Sequence, residues 1–498
     1  MGVDRRGFLL AGGAVLTAGI PASAHSREAV DVAAILREGL SNSRAMTYAA
    51  ELADGIGARL TGSPNMARAY EWALSKMSAL GLEDVRLEPV PMPVMGWQQT
   101  GVSLAMAQPD NMPFVAQAGP WSMGTRGVRR AQARAVTLAS PEDYEHWRGK
   151  LAGKLVLLGP LRDVPQNTQA LTERYSDEEV LSEKPLEPVR AYYRNRSQRA
   201  PSRTAQANSG AVLQAFLEAE NVAGVILPSR DGAHGGGSGN LSIDESPFAP
   251  EGWSMDRRPK FPFAYAAIEH FGRAWRLASS GIHVELALDI SVEETADYQP
   301  VWNVVADFKG RDPGAPIVVA GAHLDSWSSG TGALDNASGV SNVLEVVRIL
   351  KATGYRPRQT LRVVLFGAEE QGLLGAKAYA QRHLATHLHS IMFNMDGGAG
   401  RARGVFSGGD AAVAERFAEW IKPLKNYGLL SVFNEPFWPA DQSVFSEAGV
   451  PGVMFLQDPL DYFTRARHSN MDTIERLPSA DMAQLSTALA VLLAQSGF

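Results

Sequence analysis

The feature that most constrains this chain is a series of short apolar runs in its C-terminal part, each followed by a segment with helical spacing. The runs are Val301 to Phe308, Ile317 to Gly321, Leu361 to Gly367, Ile391 to Met395 and Val453 to Gln457. They are apolar on successive residues rather than on alternate ones. A strand of that kind must be covered on both faces, a condition met by a mostly parallel central sheet flanked by helices. Between the runs lie amphipathic helices, notably Gly339 to Leu350, which Gly354 terminates. In such sheets ligands collect beyond the carboxyl ends of the strands.

The 498 residues exceed what one hydrophobic core usually serves, so two or three lobes are expected. From Ser26 to about Gly96 the spacing is helical, through Val30, Ala33, Ile35 and Leu36 and again through Ala69, Trp72, Ala73, Met77 and Leu80. Gly81 reads as a stop, and Val85 to Val90 as a short extended piece. Between about Thr125 and Glu294 the texture becomes separated strand-like runs at 135–138, 155–158 and 224–227, with one helical stretch before the last. The expected division is a leader at 1–24, the N-terminal part of one domain at 25–124, an inserted β-rich domain at 125–294 and the main α/β domain at 295–498.

The leader, MGVDRRGFLLAGGAVLTAGIPASA, sets Arg5 and Arg6 before a weakly apolar stretch and ends in Ala22-Ser23-Ala24. That pattern is a twin-arginine export signal, so a periplasmic or secreted protein is expected. No later run is long enough to span a membrane. A net charge of -6 gives no basic footprint for nucleic acid. The absence of cysteine excludes a thiol nucleophile, and no Gly-x-Ser-x-Gly elbow is present. The glycine-rich loop at 231–240 lacks the Lys-Ser/Thr ending of a phosphate cradle. The basic, aromatic stretch at 189–204 is either a solvated face or a contact for a peptide carboxylate. Homodimerisation is left open.

Metal-type residues fall where such a sheet places its ligands. His323 and Asp325 follow the run ending at Gly321, Glu369 and Glu370 follow the run ending at Gly367, and Asp396 ends the run beginning at Ile391. Asp335 opens the next helix, and His468 lies in a loop after the run at Val453. Strands side by side would bring these groups to one rim. Imidazole nitrogen with carboxylate oxygen suits zinc, at about 2.0–2.2 Å, better than magnesium or calcium. Two histidines and three acids hold two ions only if one carboxylate is shared, and Asp335 is the candidate bridge. His383 and His387 stand four apart on an expected helix, but position 384 is Leu, without the Glu of a His-Glu-x-x-His motif, so both read as exposed helix surface.

The runs GAHLDSW at 321–327, LDNASG at 334–339, GAEEQGLLG at 367–375, NMDGG at 394–398 and HSNMDT at 468–473 resemble the co-catalytic di-zinc aminopeptidase family, and within it the carboxypeptidase Q branch. The resemblance extends to ARLTGSPNMARAYEW at 58–72 and to the inserted region, which is similar to a protease-associated domain. It implies a zinc-peptidase fold interrupted by that domain, and an exopeptidase that cleaves next to the free amino terminus of short peptides. It further implies that His323 and Asp396 hold one zinc, Glu370 and His468 a second, and Asp335 bridges. Asp325 would orient His323 by accepting its remaining ring proton. Glu369 would be the general base, and Asp441, in PADQSVF, would line the substrate site. A catalytically silent binding protein of the same fold would lack ligands, yet all five ligand positions and Glu369 are present. A single-zinc acyl-transferring cyclase fits less well with an inserted domain and an apparent two-metal set.

Overall fold

The computed structural model describes residues 30–164, 168, 170–190, 203–229, 239–243, 247–248 and 251–496. The leader, positions 191–202 of the basic stretch and positions 231–238 of the glycine-rich loop lie outside the described residues. The described residues begin with three helices, Val32–Ser41, Ala45–Ala53 and Pro64–Ala79. The third starts on a Ser63 side chain that accepts the Met66 amide, with Pro64 in its first turn. Strands β1 (Glu83–Gln108), β2 (Met112–Pro113), β3 (Ala116–Ala118), β4 (Arg129–Thr137), β5 (Leu155–Gly159), β6 (Gly224–Pro228) and β7 (Phe263–Ala266) follow. The remainder supplies β8 (Glu285–Phe308), β9 (Ile317–His323), β10 (Leu361–Phe366), β11 (His389–Asn394), β12 (Ala402–Phe406), β13 (Ser431–Phe433) and β14 (Gly452–Gln457).

Among the described residues these form one 14-stranded sheet with the order β13-β12-β14-β11-β9-β10-β8-β4-β5-β6-β7-β3, with β1 paired to β8 and β2 to β1. The sheet is mixed as a whole, but β14, β11, β9 and β10 run parallel to one another. Their residues are buried almost without interruption, as strands covered on both faces must be. One cover is the helix Ser338–Ala352, whose Val340, Val343, Leu344, Val347 and Leu350 share a core with the N-terminal helices and the C-terminal helix Ser479–Ser496. Each such aliphatic side chain contributes roughly 1.5–3 kcal/mol by leaving water. The other cover includes Tyr379 and Phe445, stacked with ring centroids 5.5 Å apart.

The short extended piece expected at Val85 to Val90 is part of a 26-residue strand. β1 pairs antiparallel with the 24-residue β8 from Glu83↔Asp307 to Gln108↔Glu285, across several bulges. This ribbon joins both lobes: the C-terminal half of β8 pairs with β10 and its N-terminal half with β4. β8 therefore crosses position 294/295 without a break. Its centre, 293–298, is polar and exposed, which is why the sequence reads there as a boundary.

His383 is corrected by the structure. It is buried, not on an exposed surface, and its Nε2 lies 2.8 Å from Glu88 Oε2 on β1. Against the upward push of burial, that hydrogen bond and the charges of His383 and Arg86 bring the Glu88 carboxyl down to about 2. His387 is exposed, so the two histidines form no metal face.

A buried ion pair pins the ribbon to the parallel strands. Arg362 of β10 sits directly opposite Asp307 of β8 and donates to both its oxygens at 2.7 and 2.9 Å. Arg362→Met leaves Asp307 charged, buried and unpaired, and should lower the unfolding free energy by about 3–5 kcal/mol. The double variant Asp307→Leu/Arg362→Met should recover most of that loss in urea unfolding followed by circular dichroism.

Candidate metal centre

The parallel register places the ligands. His323, the last residue of β9, pairs with Phe366 at the end of β10, and Asn394 of β11 pairs with Gly321. The turn carrying Glu369 and Glu370 and the residue pair Met395-Asp396 therefore emerge at the same rim as His323. Ala368 takes a positive φ of 54° to turn the chain there. Asp335 does not open a regular helix: it lies in a turn, Ala333–Ala337, with non-helical backbone at Asp335 and Asn336, and the helix proper begins at Ser338. A Cβ on Gly339 would lie 2.0 Å from the Met395 carbonyl oxygen. Only glycine lets this turn approach the end of β11.

The two oxygens of Asp335 face different histidines. Oδ1 is 3.0 Å from His323 Nε2, which is 3.8 Å from Asp396 Oδ1. Oδ2 is 3.2 Å from His468 Nε2, which is 3.1 Å from Glu370 Oε2. Two triads result, His323/Asp335/Asp396 and Asp335/Glu370/His468, each with ligand atoms within 4.8 Å of one another. Glu369 joins His323 and Glu370 in a third grouping of the same kind. Asp441 is fully buried, with neither carboxylate oxygen hydrogen-bonded.

Electrostatics in this cluster are dominated by burial and by like charge. Burial disfavours the charged His323 ring, but bonds to Asp325, Asp335 and Asp396 carry it well above its ordinary value. Burial would raise Asp335, yet His323 and His468 hold it well below the usual range. Glu369 is pushed well above the carboxylate range by burial, helped by Glu370, Asp396 and Asp441 and opposed by His323. Burial and neighbouring carboxylates raise Glu370 and Asp441 as well. Glu370 Oε1 is buried without a hydrogen-bond partner. Buried carboxylates at this density need cations, and the mixture of imidazole and carboxylate fits zinc.

The ring of His323 is oriented by main chain. Nδ1 lies 3.0 Å from the Asp325 carbonyl oxygen and 3.7 Å from its carboxylate. The carboxylate instead accepts the amides of Glu369 and Glu370 at 3.1 and 3.2 Å. Asp325 thus fixes the turn bearing both glutamates, as well as the tautomer of His323.

Several residues that shape the site drew no functional reading from the sequence. Arg59 is fully buried and donates to four carbonyl oxygens, those of Gly57, Leu324, Thr331 and Gly332. It ties the residue after His323 to the turn before Asp335. Asp472 accepts the amides of Leu334 and Asp335 at 2.6 and 3.2 Å. Burial and the Asp335 charge push its carboxyl up to about 8. Tyr462 donates to Asp335 Oδ2 at 2.9 Å. Arg59 and Asp472 lie inside motifs quoted above, but only the fold reveals what they bind; Tyr462 carried no signal. Asp335, Glu369, Glu370 and Asp396 open into a cleft also lined by Phe437, Trp438, Met454, Phe463 and Arg467, the last with its Nε 3.9 Å from Asp335 Oδ2.

A buried histidine and carboxylate cluster at the carboxyl ends of parallel strands, open to a cleft, is the site of a metallohydrolase. Residues 303–493 match the model of Peptidase family M28. Carboxypeptidase Q from Homo sapiens is 28% identical over 459 residues, covering 91% of this chain and 84% of its own length. A Peptidase M28 precursor from Shewanella amazonensis is 25% identical, with a TM-score of 0.66 over 93% of this chain and 95% of that one. A zinc aminopeptidase from Bacillus subtilis, 18% identical, shares the fold with a TM-score of 0.55 over 91% and 94% of the two chains. The protein is a metallo-exopeptidase hydrolase, and it resembles the co-catalytic zinc peptidases, carboxypeptidase Q among them.

Arg59→Met should leave three carbonyls of the two ligand loops, those of Leu324, Thr331 and Gly332, without their Arg59 donor. The expected result is a loss of about 1–3 kcal/mol in stability and a weakening of zinc binding by about 10–100-fold. Urea unfolding of the metal-free protein and competition against a chromophoric chelator measure the two effects separately.

Proposed function

We propose that this protein is an aminopeptidase or dipeptidase that uses two zinc ions and cleaves the peptide bond next to a free amino terminus. The observation that carries this reading is Asp335, whose two oxygens face two separate triads. His323 and Asp396 would hold one ion, Glu370 and His468 the other, and Asp335 both. Bound zinc supplies polarisation of the scissile carbonyl and acidifies water at neutral pH. Glu369, beside the cluster and raised by burial and its acidic neighbours, accepts a proton from water and returns it to the leaving amine. The acidic residues lining the cleft favour a substrate ammonium through charge-assisted hydrogen bonds. Asp441 is buried outside the cleft lining, where burial and the neighbouring carboxylates disfavour its charged form, so it is not a direct substrate contact in this reading.

A domain at 125–294 of the protease-associated kind would sit above the carboxyl ends and shorten the cleft, which favours short peptides. Arg190 is not the carboxylate anchor in this reading, because Glu435 and Glu183 hold its guanidinium. Export through the Arg5-Arg6 leader is part of the same proposal; among the described residues no helix is long and apolar enough to cross a membrane.

Glu369→Gln should keep the fold and bound zinc while kcat falls by about 10²–10⁴, whereas Glu370→Gln should lose zinc. Metal analysis beside steady-state kinetics reads both, and exchanged phenotypes would reverse the assignment of base and ligand. In a comparison of kcat/KM over free and N-acetylated di-, tri- and decapeptides, free short peptides should be cleaved best and acetylated ones hardly at all. Equal cleavage of the acetylated decapeptide would refute the amine anchor.

A further inference from the structure

The loop that carries His468 is held from outside the parallel sheet. His468 has a positive φ of 55°, a conformation that a non-glycine residue keeps only where its surroundings enforce it. Ser329, in the loop after β9, donates its hydroxyl to the His468 carbonyl oxygen at 2.8 Å, and further contacts come from residues 239–243, which lie between β6 and β7. The Ile243 amide donates to the His468 carbonyl oxygen at 2.8 Å, and the Asn470 amide to the Leu241 carbonyl oxygen at 3.1 Å. Ser242 and Ser469 form an antiparallel bridge between them. The Asn470 side chain completes the join in both directions: its Oδ1 accepts the Leu241 amide at 2.8 Å, and its Nδ2 donates to the Gly239 carbonyl oxygen at 3.2 Å. Asn240 Nδ2 donates at 2.8 Å to the Arg465 carbonyl oxygen, on the same loop.

The loop after His323 is tied by a different residue, Arg59, which donates to the Leu324 carbonyl oxygen at 2.8 Å. His323 ends a strand inside the sheet, and Asp396 follows one, so both are set by the parallel register. The two halves of the centre therefore depend on different parts of the molecule. We propose that Asn470 is a positioning residue through which the 239–243 segment sets the metal affinity of the Glu370/His468 half while leaving the His323/Asp396 half unaffected. The inference rests on the two-zinc reading above. Removing the Asn470 amide leaves the bridge with fewer bonds, so His468 samples other backbone conformations and presents Nε2 to the metal less often. Changes around a metal-bound histidine of this kind typically weaken binding by about 10–100-fold.

The test uses the full mature protein, stripped of metal and titrated with zinc against a chromophoric chelator, which resolves the dissociation constant of each ion. His468→Ala identifies the constant that belongs to its half. Asn470→Ala should raise that constant about 10–100-fold and leave the other unchanged, with far-UV circular dichroism unaltered. Asn240→Ala, which cuts the same strap at a different bond, should move the same constant by less, and it decides the matter if Asn470→Ala does not fold. Unchanged constants in a folded variant, or an equal rise in both, would overturn the strap. Failure of the unaltered protein to bind two zinc ions would overturn the two-zinc reading itself, and is recognised before any variant is made.

Discussion

The structure depends on bringing like charges together. Asp325, Asp335, Glu369, Glu370, Asp396 and Asp441 converge around His323 and His468, with Asp325 and Asp441 fully buried. Carboxylates out of water repel one another and resist ionisation, so the chain must hold them by force of packing, by donors or by cations. It uses all three means. Parallel strands buried on both faces fix His323 and the two loops beside it. The amides of Glu369 and Glu370 donate to Asp325, and the Tyr462 hydroxyl donates to Asp335. The remaining imbalance is what bound metal would neutralise.

The loops are held from behind by groups that never face the cleft. Arg59 meets main-chain carbonyls, not carboxylates, so its charge lies under the cluster while its planar fork fixes two loops at once. Asp472 accepts the amides on either side of the Leu334–Asp335 bond, which fixes the turn that aims the two oxygens of Asp335 at different histidines. The centre is thus built as much from main-chain geometry as from its ligand side chains.

The second lobe is continuous with the first through the β1–β8 ribbon, and it also touches the loop beyond β14. Glu173 pairs with Leu460, Arg174 with Asp458 and Asp481, and residues 239–243 with the His468 loop. Trp327, two residues past Asp325, packs edge-on against both Trp121 and His468, with ring centroids 6.2 and 6.1 Å apart.

The sequence by itself determined the parallel strands and the residue types at their ends. Continuous apolar runs alternating with amphipathic helices fit doubly covered strands, and ligand-type residues immediately after such strands fall at their carboxyl rim. It also carried the motifs around His323, Asp335, Glu369, Glu370, Asp396 and His468. The long ribbon was not legible, because its exposed middle at 293–298 is as polar as a linker. His383 was misjudged because its partner, Glu88, is 295 residues away. Which oxygen of Asp335 faces which histidine, what Arg59 and Asp472 hold, and how the second lobe grips the His468 loop were decided only by tertiary structure. Local periodicity reports which face of an element is buried, whereas hydrogen-bond partners hundreds of residues apart are chosen by the fold.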